Sequence, residues 1–309
     1  MSTQQEINTA TAHRVVILGA GSARIPFDTH RTQSALEAVM TSQPSSPAGD
    51  EASSAHKAAT LRALHVPGHP LVLPNVWDVV SATMVTEAGF PVVATSSAAT
   101  SALLGYADGE AAPVEEVLAA TARIVRAVSV PVTVDFERGY RLPAHELVEL
   151  LTSTGAAGVN LEDSDPATGQ MIDPAEQADF LASVRQAAVS LGVDLVINAR
   201  TDSFLRQAGT PTDQLDATLE RGNRYLAAGA DCIYPIGQAD SAIIRQLTGG
   251  INGPINVGYR RGGERPLAEL AALGVARVSF GPSLQRQLYG KFGTALFAAL
   301  ASGENPFLL

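Results

Sequence analysis

The chain has 309 residues, enough for one large barrel domain or two smaller ones. Its 46% hydrophobic and 17% charged residues suit a compact soluble protein, and the net charge of −10 argues against a nucleic-acid binder and an anionic membrane surface while leaving room for a local cationic pocket. No apolar run approaches the ~20 residues that span a bilayer. The run Val15-Val16-Ile17-Leu18 is too short for a signal-peptide core and has no cleavage site after it, so the expected location is cytoplasmic.

In chain order, residues 1–56 differ from the rest and are expected to be a flexible or non-catalytic extension, with the barrel domain over 57–309. Within the extension, Arg14 to Arg24 carries a strand and a Gly-Ala-Gly turn like the opening of a dinucleotide fold. The third glycine of that fingerprint falls on Arg24, and too little chain follows for a complete unit. Residues 41–54 are rich in Ser, Pro, Ala and Gly and read as a linker.

From residue 71 the pattern becomes regular. Apolar strand-type runs lie at 71–74, 92–95, 130–135, 158–162, 195–199, 232–236, 255–258 and 277–280. Helix-type spacing fills 79–88, 113–128, 144–154, 174–191, 212–228, 241–247 and 267–273, and a closing helix covers 284–301. Eight alternations in about 250 residues predict an α/β fold, a (β/α)8 TIM-type barrel. The single cysteine, Cys232, sits in an apolar run and reads as a small buried hydrophobe.

In such a barrel the strand ends converge on one mouth. The ends here are Asn75-Val76-Trp77-Asp78, Thr95-Ser96-Ser97-Ala98, Asp135-Phe136-Glu137, Glu162-Asp163 and Arg200. Crowded carboxylates repel unless a cation sits among them, and hard oxygen ligands select Mg²⁺ or Mn²⁺. All six histidines lie off the strand ends, which argues against a Ser-His-Asp triad and a histidine-ligated zinc. The bland alternatives are Glu162 and Asp163 as solvated charges, Asp78 as a helix cap, Trp77 as packing, and Asp202 either capping a helix or orienting Arg200.

The motifs Asn75-Val-Trp-Asp78, Ala94-Thr-Ser-Ser97 with Leu104-Gly-Tyr-Ala-Asp-Gly-Glu110, Asp135-Phe-Glu-Arg-Gly-Tyr140, Gly158-Val-Asn-Leu-Glu-Asp-Ser164, Ile197-Asn-Ala-Arg-Thr-Asp202 and Gly229-Ala-Asp-Cys-Ile233 together resemble the phosphoenolpyruvate mutase/isocitrate lyase superfamily. The resemblance implies a barrel whose last helix is often swapped between subunits, a homodimer or homotetramer, Mg²⁺, and a small anionic 2-oxo acid substrate reacting through an enolate. It implies Asp135 as the direct metal ligand, with Glu137 and Glu162 holding metal-bound waters. Ser96, Ser97 and Ala98 would form the turn that grips the substrate carboxylate. Arg200 would face the oxyanion or carboxylate, and Asp108 would belong to a closing loop.

Three departures shape the expected reaction. Residues 163–171 contain no Cys, Lys or His, unlike the Lys-Lys-Cys-Gly-His-type loop of isocitrate and methylisocitrate lyases, so a tricarboxylic-acid lyase is not expected. Gly109-Glu110 stands where mutases carry an asparagine. Arg138 and Arg141 stand where small residues are usual, and Arg260, Arg261 and Arg265 follow the seventh strand, either to meet a second anionic group on the substrate or as surface charges paired with Glu264 or Glu110. The expected activity is Mg²⁺-dependent cleavage of a C–C bond next to a 2-oxo or 2-hydroxy carboxylate. The rivals are P–C bond chemistry (phosphonopyruvate hydrolysis or phosphoenolpyruvate–phosphonopyruvate isomerisation) and a non-catalytic binding scaffold. The apolar positions Leu296, Phe297 and Leu300, with residues 306–309 after them, point to a subunit contact.

Overall fold

Among the described residues, every strand pairing but the local bridges is parallel, and the partners run around a ring. A computed structural model of the chain describes residues 54–207, 209–237, 240–259 and 266–308. The glycine turn near Arg24, most of the linker, and Arg260, Arg261, Glu264, Arg265 and Leu309 lie outside the described residues.

The first barrel strand is interrupted by Pro74, which has no N–H to donate. Its halves are β1 (Leu71–Leu73) and β2 (Asn75–Val76). They are followed by β3 (Val93–Thr95), β4 (Val132–Asp135), β5 (Gly158–Glu162), β6 (Val196–Thr201), β7 (Cys232–Pro235), β8 (Asn256–Gly258) and β9 (Arg277–Ser279). One sheet runs β2-β3-β4-β5-β6-β7 and the other β1-β9-β8. They join at Pro74 and at the parallel bridge Ile233↔Ile255. Carried through these registers, the pairing that leaves position 75 returns to the first strand at position 67, a stagger of eight residues. That is the shear of a closed (β/α)8 barrel.

The helices are α1 (Ser54–Ala63), α2 (Val79–Glu87), α3 (Ser97–Leu104), α4 (Val114–Ala127), α5 (Ala144–Ser153), α6 (Pro174–Ser190), α7 (Ser203–Arg206), α8 (Pro211–Ala227), α9 (Ser241–Gly250), α10 (Leu267–Ala272), α11 (Ser283–Gln287) and α12 (Thr294–Ser302). In α4 the buried residues Val117, Ala120, Thr121 and Ile124 follow the spacing of one helical face. Asp173 caps α6 and Pro174 occupies its first turn, where a missing N–H does no harm. The closing helix expected over 284–301 is broken by a π-helical segment at Leu288–Gly293. There Trp77 Nε1 donates to Tyr289 Oη at 3.0 Å and the two rings meet edge to face. Trp77 is therefore packing.

The expected boundary after residue 56 falls inside α1, which closes the bottom of the barrel. Leu61 is fully buried with Leu71, Leu73, Val92 and Val196. A Cβ at position 158 would lie 2.8 Å from Leu61 Cδ2, so Gly158 makes room for this plug. Around it, Asp231 accepts from Arg62 Nε at 2.7 Å, Arg185 Nη2 at 2.6 Å and the Ile197 amide at 2.8 Å. Cys232 is fully buried, and burial pushes its thiol up to about 12.

Candidate active site

The mouth is built from the segments that follow β3, β4, β5 and β6. Five described residues other than glycine adopt a left-handed backbone: Glu110, Glu137, Tyr140, Arg141 and Gln207. All five lie in these loops, and such strain collects where surrounding contacts over-determine the backbone, often at functional sites.

Asp135 ends β4. Its Oδ2 accepts the Ser97 amide at 2.8 Å and its Oδ1 accepts Asn160 Nδ2 at 2.9 Å. Glu137, with φ of 51°, is buried. Its Oε2 accepts the Glu110 amide at 2.6 Å, its Oε1 accepts the Tyr140 hydroxyl at 3.1 Å, and its carbonyl accepts the Glu162 amide at 2.8 Å. Burial, then Asp108 and Asp135, push its carboxyl up to about 7. Glu162 is also held above the usual carboxylate range, by burial first and by Asp202, Asp135 and Glu137, with Arg200 opposing. Asp108 turns its carboxylate toward the Ser97 side chain and is raised by burial and by Asp135. These four acids therefore share one electrostatic neighbourhood.

Arg200 lies among them. Its Nη1 meets Glu162 Oε2 at 2.6 Å, while its Nε and Nη2 donate to the two oxygens of Asp202 at 2.6 and 3.1 Å. Burial opposes its charge, but these carboxylates more than compensate and hold the guanidinium firmly protonated. Asp202 makes no side-chain cap to α7 and so orients Arg200.

Several expected details are corrected. The Ser96–Ala98 turn is the N-cap and first turn of α3, with the Ser96 hydroxyl accepting the Ala99 amide at 3.4 Å. The Ser97 amide is engaged by Asp135 and its hydroxyl by Asp108, so a carboxylate here would meet the Ala98 N–H and, by displacing Asp108, the Ser97 hydroxyl. Asp163 is not a mouth carboxylate. It is fully buried and accepts from Arg221 Nη1 at 3.0 Å, Tyr225 Oη at 2.8 Å and the Asp202 amide at 2.8 Å, so it braces the segment bearing Arg200. Asp78 caps α2 in a reciprocal pair with Ser81, which agrees with the capping reading of this residue. Arg138 stacks its guanidinium 4.6 Å from the Phe180 ring, and Arg141 is exposed with Asp165 at 3.9 Å, so neither faces the acids.

Sequence reasoning put Asn75 at a strand end without a role, and it missed Asn160 and Gly258. Asn75 Oδ1 accepts the Phe280 and Gly281 amides at 2.7 and 2.9 Å, tying the first strand to the last. A Cβ on Gly258 would lie 2.7 Å from the Tyr234 hydroxyl, so that glycine admits the tyrosine to the floor of the mouth. Alternation along the strands was the available signal, since inward polar residues recur two apart.

Among the described residues, no three His, Cys, Asp or Glu side chains converge closely enough to enclose a metal directly. The acids nevertheless fit a hard cation. Asp108, Glu137 and Glu162 each lose acidity through burial and then through neighbouring carboxylate charge, with Asp135 acting on all three. Mg²⁺ keeps several waters and needs only one or two carboxylates in direct contact.

The family model described as phosphoenolpyruvate phosphomutase matches residues 61–300. A solved structure from Burkholderia cenocepacia J2315, described provisionally as a phosphonomutase, is 43% identical with a TM-score of 0.73, covering 80% of this chain and 99% of that one. The 2-methylisocitrate lyase of Escherichia coli is 27% identical over 70% of this chain and 77% of its own length. The oxaloacetate decarboxylase of Rhodopseudomonas palustris is 29% identical over 64% of this chain and 69% of its own.

Proposed function

Because the chain belongs to the phosphoenolpyruvate phosphomutase family, we propose that it is a Mg²⁺-dependent carbon–carbon lyase. It cleaves the bond next to a small 2-oxo or 2-hydroxy carboxylate through an enolate. One observation carries this reading: among the described residues, Asp108, Asp135, Glu137 and Glu162 crowd the mouth beside the oriented guanidinium of Arg200. Asp135 would hold the cation directly and Glu137 and Glu162 through water, with Mn²⁺ as an alternative ion. When bound, the cation supplies Lewis-acid stabilisation of developing negative charge.

This chain's own groups do the rest. Ser97 and the Ala98 amide receive the substrate carboxylate at the positive end of α3. In an oxaloacetate-like acid the electron pair of the broken C–C bond moves into the 2-oxo carbonyl, giving the enolate and CO₂. Arg200, held rigid by Glu162 and Asp202, faces that oxygen at no reorganisation cost. Asp108, on the loop between Gly105 and Gly109, closes the site against water.

A second reading, P–C bond chemistry, draws on the Burkholderia cenocepacia relative described as a phosphonomutase. Incubation with oxaloacetate, 2-methylmalate-type acids and phosphonopyruvate separates the two. CO₂ or a keto acid released only with Mg²⁺ supports the lyase. Inorganic phosphate or phosphoenolpyruvate from phosphonopyruvate replaces it with the second reading. No product from any of them at saturating Mg²⁺ overturns both.

The proposal includes a homodimer or homotetramer. Tyr289, Phe292, Phe297, Leu300 and Phe307 are exposed on the C-terminal segments, an apolar face suited to a second copy. A monomer mass by light scattering would refute this part.

A further inference from the structure

The strand registers sort inward residues into layers, each supplied by alternate strands. One layer holds Leu73, Thr133, Asn198 and Asn256, just below the level of Asn160 and above that of Arg277. Leu73 is apolar. The other three are at most 1% exposed, and each has a polar atom without a hydrogen-bond partner among the described residues: Thr133 Oγ1, Asn198 Oδ1 and Asn256 Nδ2.

Arg277 rises from beneath. It is 3% exposed, its Nε is likewise unpartnered, and its Nη1 meets the His65 ring at 3.5 Å. The carboxylate that acts on it is Asp135, the proposed metal ligand. A buried cation without a close counter-charge is very costly unless dipoles or water solvate it. The unpartnered set comprises two donors (Arg277 Nε and Asn256 Nδ2), one acceptor (Asn198 Oδ1) and one hydroxyl that can do either. That complements the two hydrogens and two lone pairs of a water molecule.

The bonds above this layer all point one way. Asn198 Nδ2 donates to Asn160 Oδ1 at 2.8 Å, and Asn160 Nδ2 donates to Asp135 Oδ1 at 2.9 Å. A water accepting from Arg277 Nε and donating to Asn198 Oδ1 would extend the run so that every donor faces from the cation toward the anion. Aligned hydrogen bonds of this kind polarise and strengthen one another.

We propose that the barrel core contains a built water site bounded by Thr133, Asn198, Asn256 and Arg277, and that it completes a relay from Arg277 through Asn198 and Asn160 to Asp135. Arg277 and Asn198 are then positioning residues for Asp135. The water site stands on the packing alone. The positioning role rests on the reading of Asp135 as a metal ligand.

A crystal structure of the protein at water-resolving resolution tests the first half. Density within hydrogen-bond distance of Arg277 Nε and Asn198 Oδ1 is expected, and a dry core overturns the site. Calorimetric titration with Mg²⁺ tests the second half. Arg277→Met and Asn198→Ala are each expected to weaken binding about tenfold, as removal of partners behind a metal ligand does. Arg277→Lys should recover part of the loss, and the double variant should be little worse than either single one. Affinity within twofold of the parent in Asn198→Ala overturns the relay, even if Arg277→Met does not fold. A parent protein that binds no Mg²⁺ removes the metal reading and the positioning role with it, while the density still decides the water site.

Discussion

The two ends of the barrel treat charge in opposite ways. At the bottom, Asp231 is met by Arg62, Arg185 and a backbone amide, so its charge is answered. At the mouth, burial and then neighbouring carboxylates, Asp135 among them, hold Asp108, Glu137 and Glu162 above the ordinary carboxylate range, while Arg200 divides itself between Glu162 and Asp202. Both ends are acidic clusters with arginine. Among the described residues, the mouth is left with more carboxylates than arginines, and that surplus is what a divalent cation can use. Balance marks a structural network, and imbalance marks a site.

The largest expected effect breaks the mouth. Asp135→Asn keeps the shape of the side chain while removing its charge. Activity is expected to fall on the order of 10³-fold, in line with the loss of a key electrostatic group, and the Mg²⁺-induced thermal shift should vanish. Retained activity and shift would move the metal elsewhere.

At the bottom the expected loss is of stability. Asp231→Ala leaves Arg62 and Arg185 without their shared partner, and breaking a largely buried pair in this way is worth about 3 kcal/mol. Urea unfolding should show that drop, with kcat and KM of the folded enzyme close to the parent. A selective loss of kcat would mean that the two ends are coupled.

The smallest effect is one of sign. Glu137 binds its proton more tightly folded than unfolded, so in metal-free protein its contribution to stability is full below about pH 4.5 and is lost as pH rises through about 7. His65 behaves in the opposite way. Its Nδ1 lies 2.8 Å from the Leu61 carbonyl, and burial followed by Arg277 lowers it to about 4. The neutral ring therefore contributes stability above about pH 6.5 that is lost as pH falls through about 4. Each effect is at most about 3 kcal/mol. Thermal melts across pH should show Glu137→Gln flattening the limb between about pH 4.5 and 7 and Mg²⁺ doing the same in the parent, because the cation replaces the proton. An unchanged limb in Glu137→Gln would assign the titration to another acid.

Much of this was legible beforehand. The eight strand runs and most helices followed from period-2 and period-3.6 patterning, and Asp135, Glu137, Glu162 and Arg200 could be placed at one mouth because parallel strands share a direction. Three things were not legible. Ser97–Leu104 is rich in Ser, Thr and Ala and lacks a clear apolar stripe, so its helix was read as a turn. Asp163 follows Glu162 in the chain yet faces Arg221 on α8, because adjacent residues at a strand end point to opposite sides. Asn198 and Arg277 carry no motif, and their meaning depends on which strands are neighbours.

By itself, the sequence determined the alternation of strand and helix, the order of the acidic strand ends and the surplus of negative charge, since these depend on local spacing and composition. Only the tertiary structure decided which acid is answered by an arginine, which backbone is forced into a left-handed conformation, and which polar atoms are stacked in the core. Those outcomes depend on the stagger of the closed barrel, which sets residues far apart in the chain at the same height.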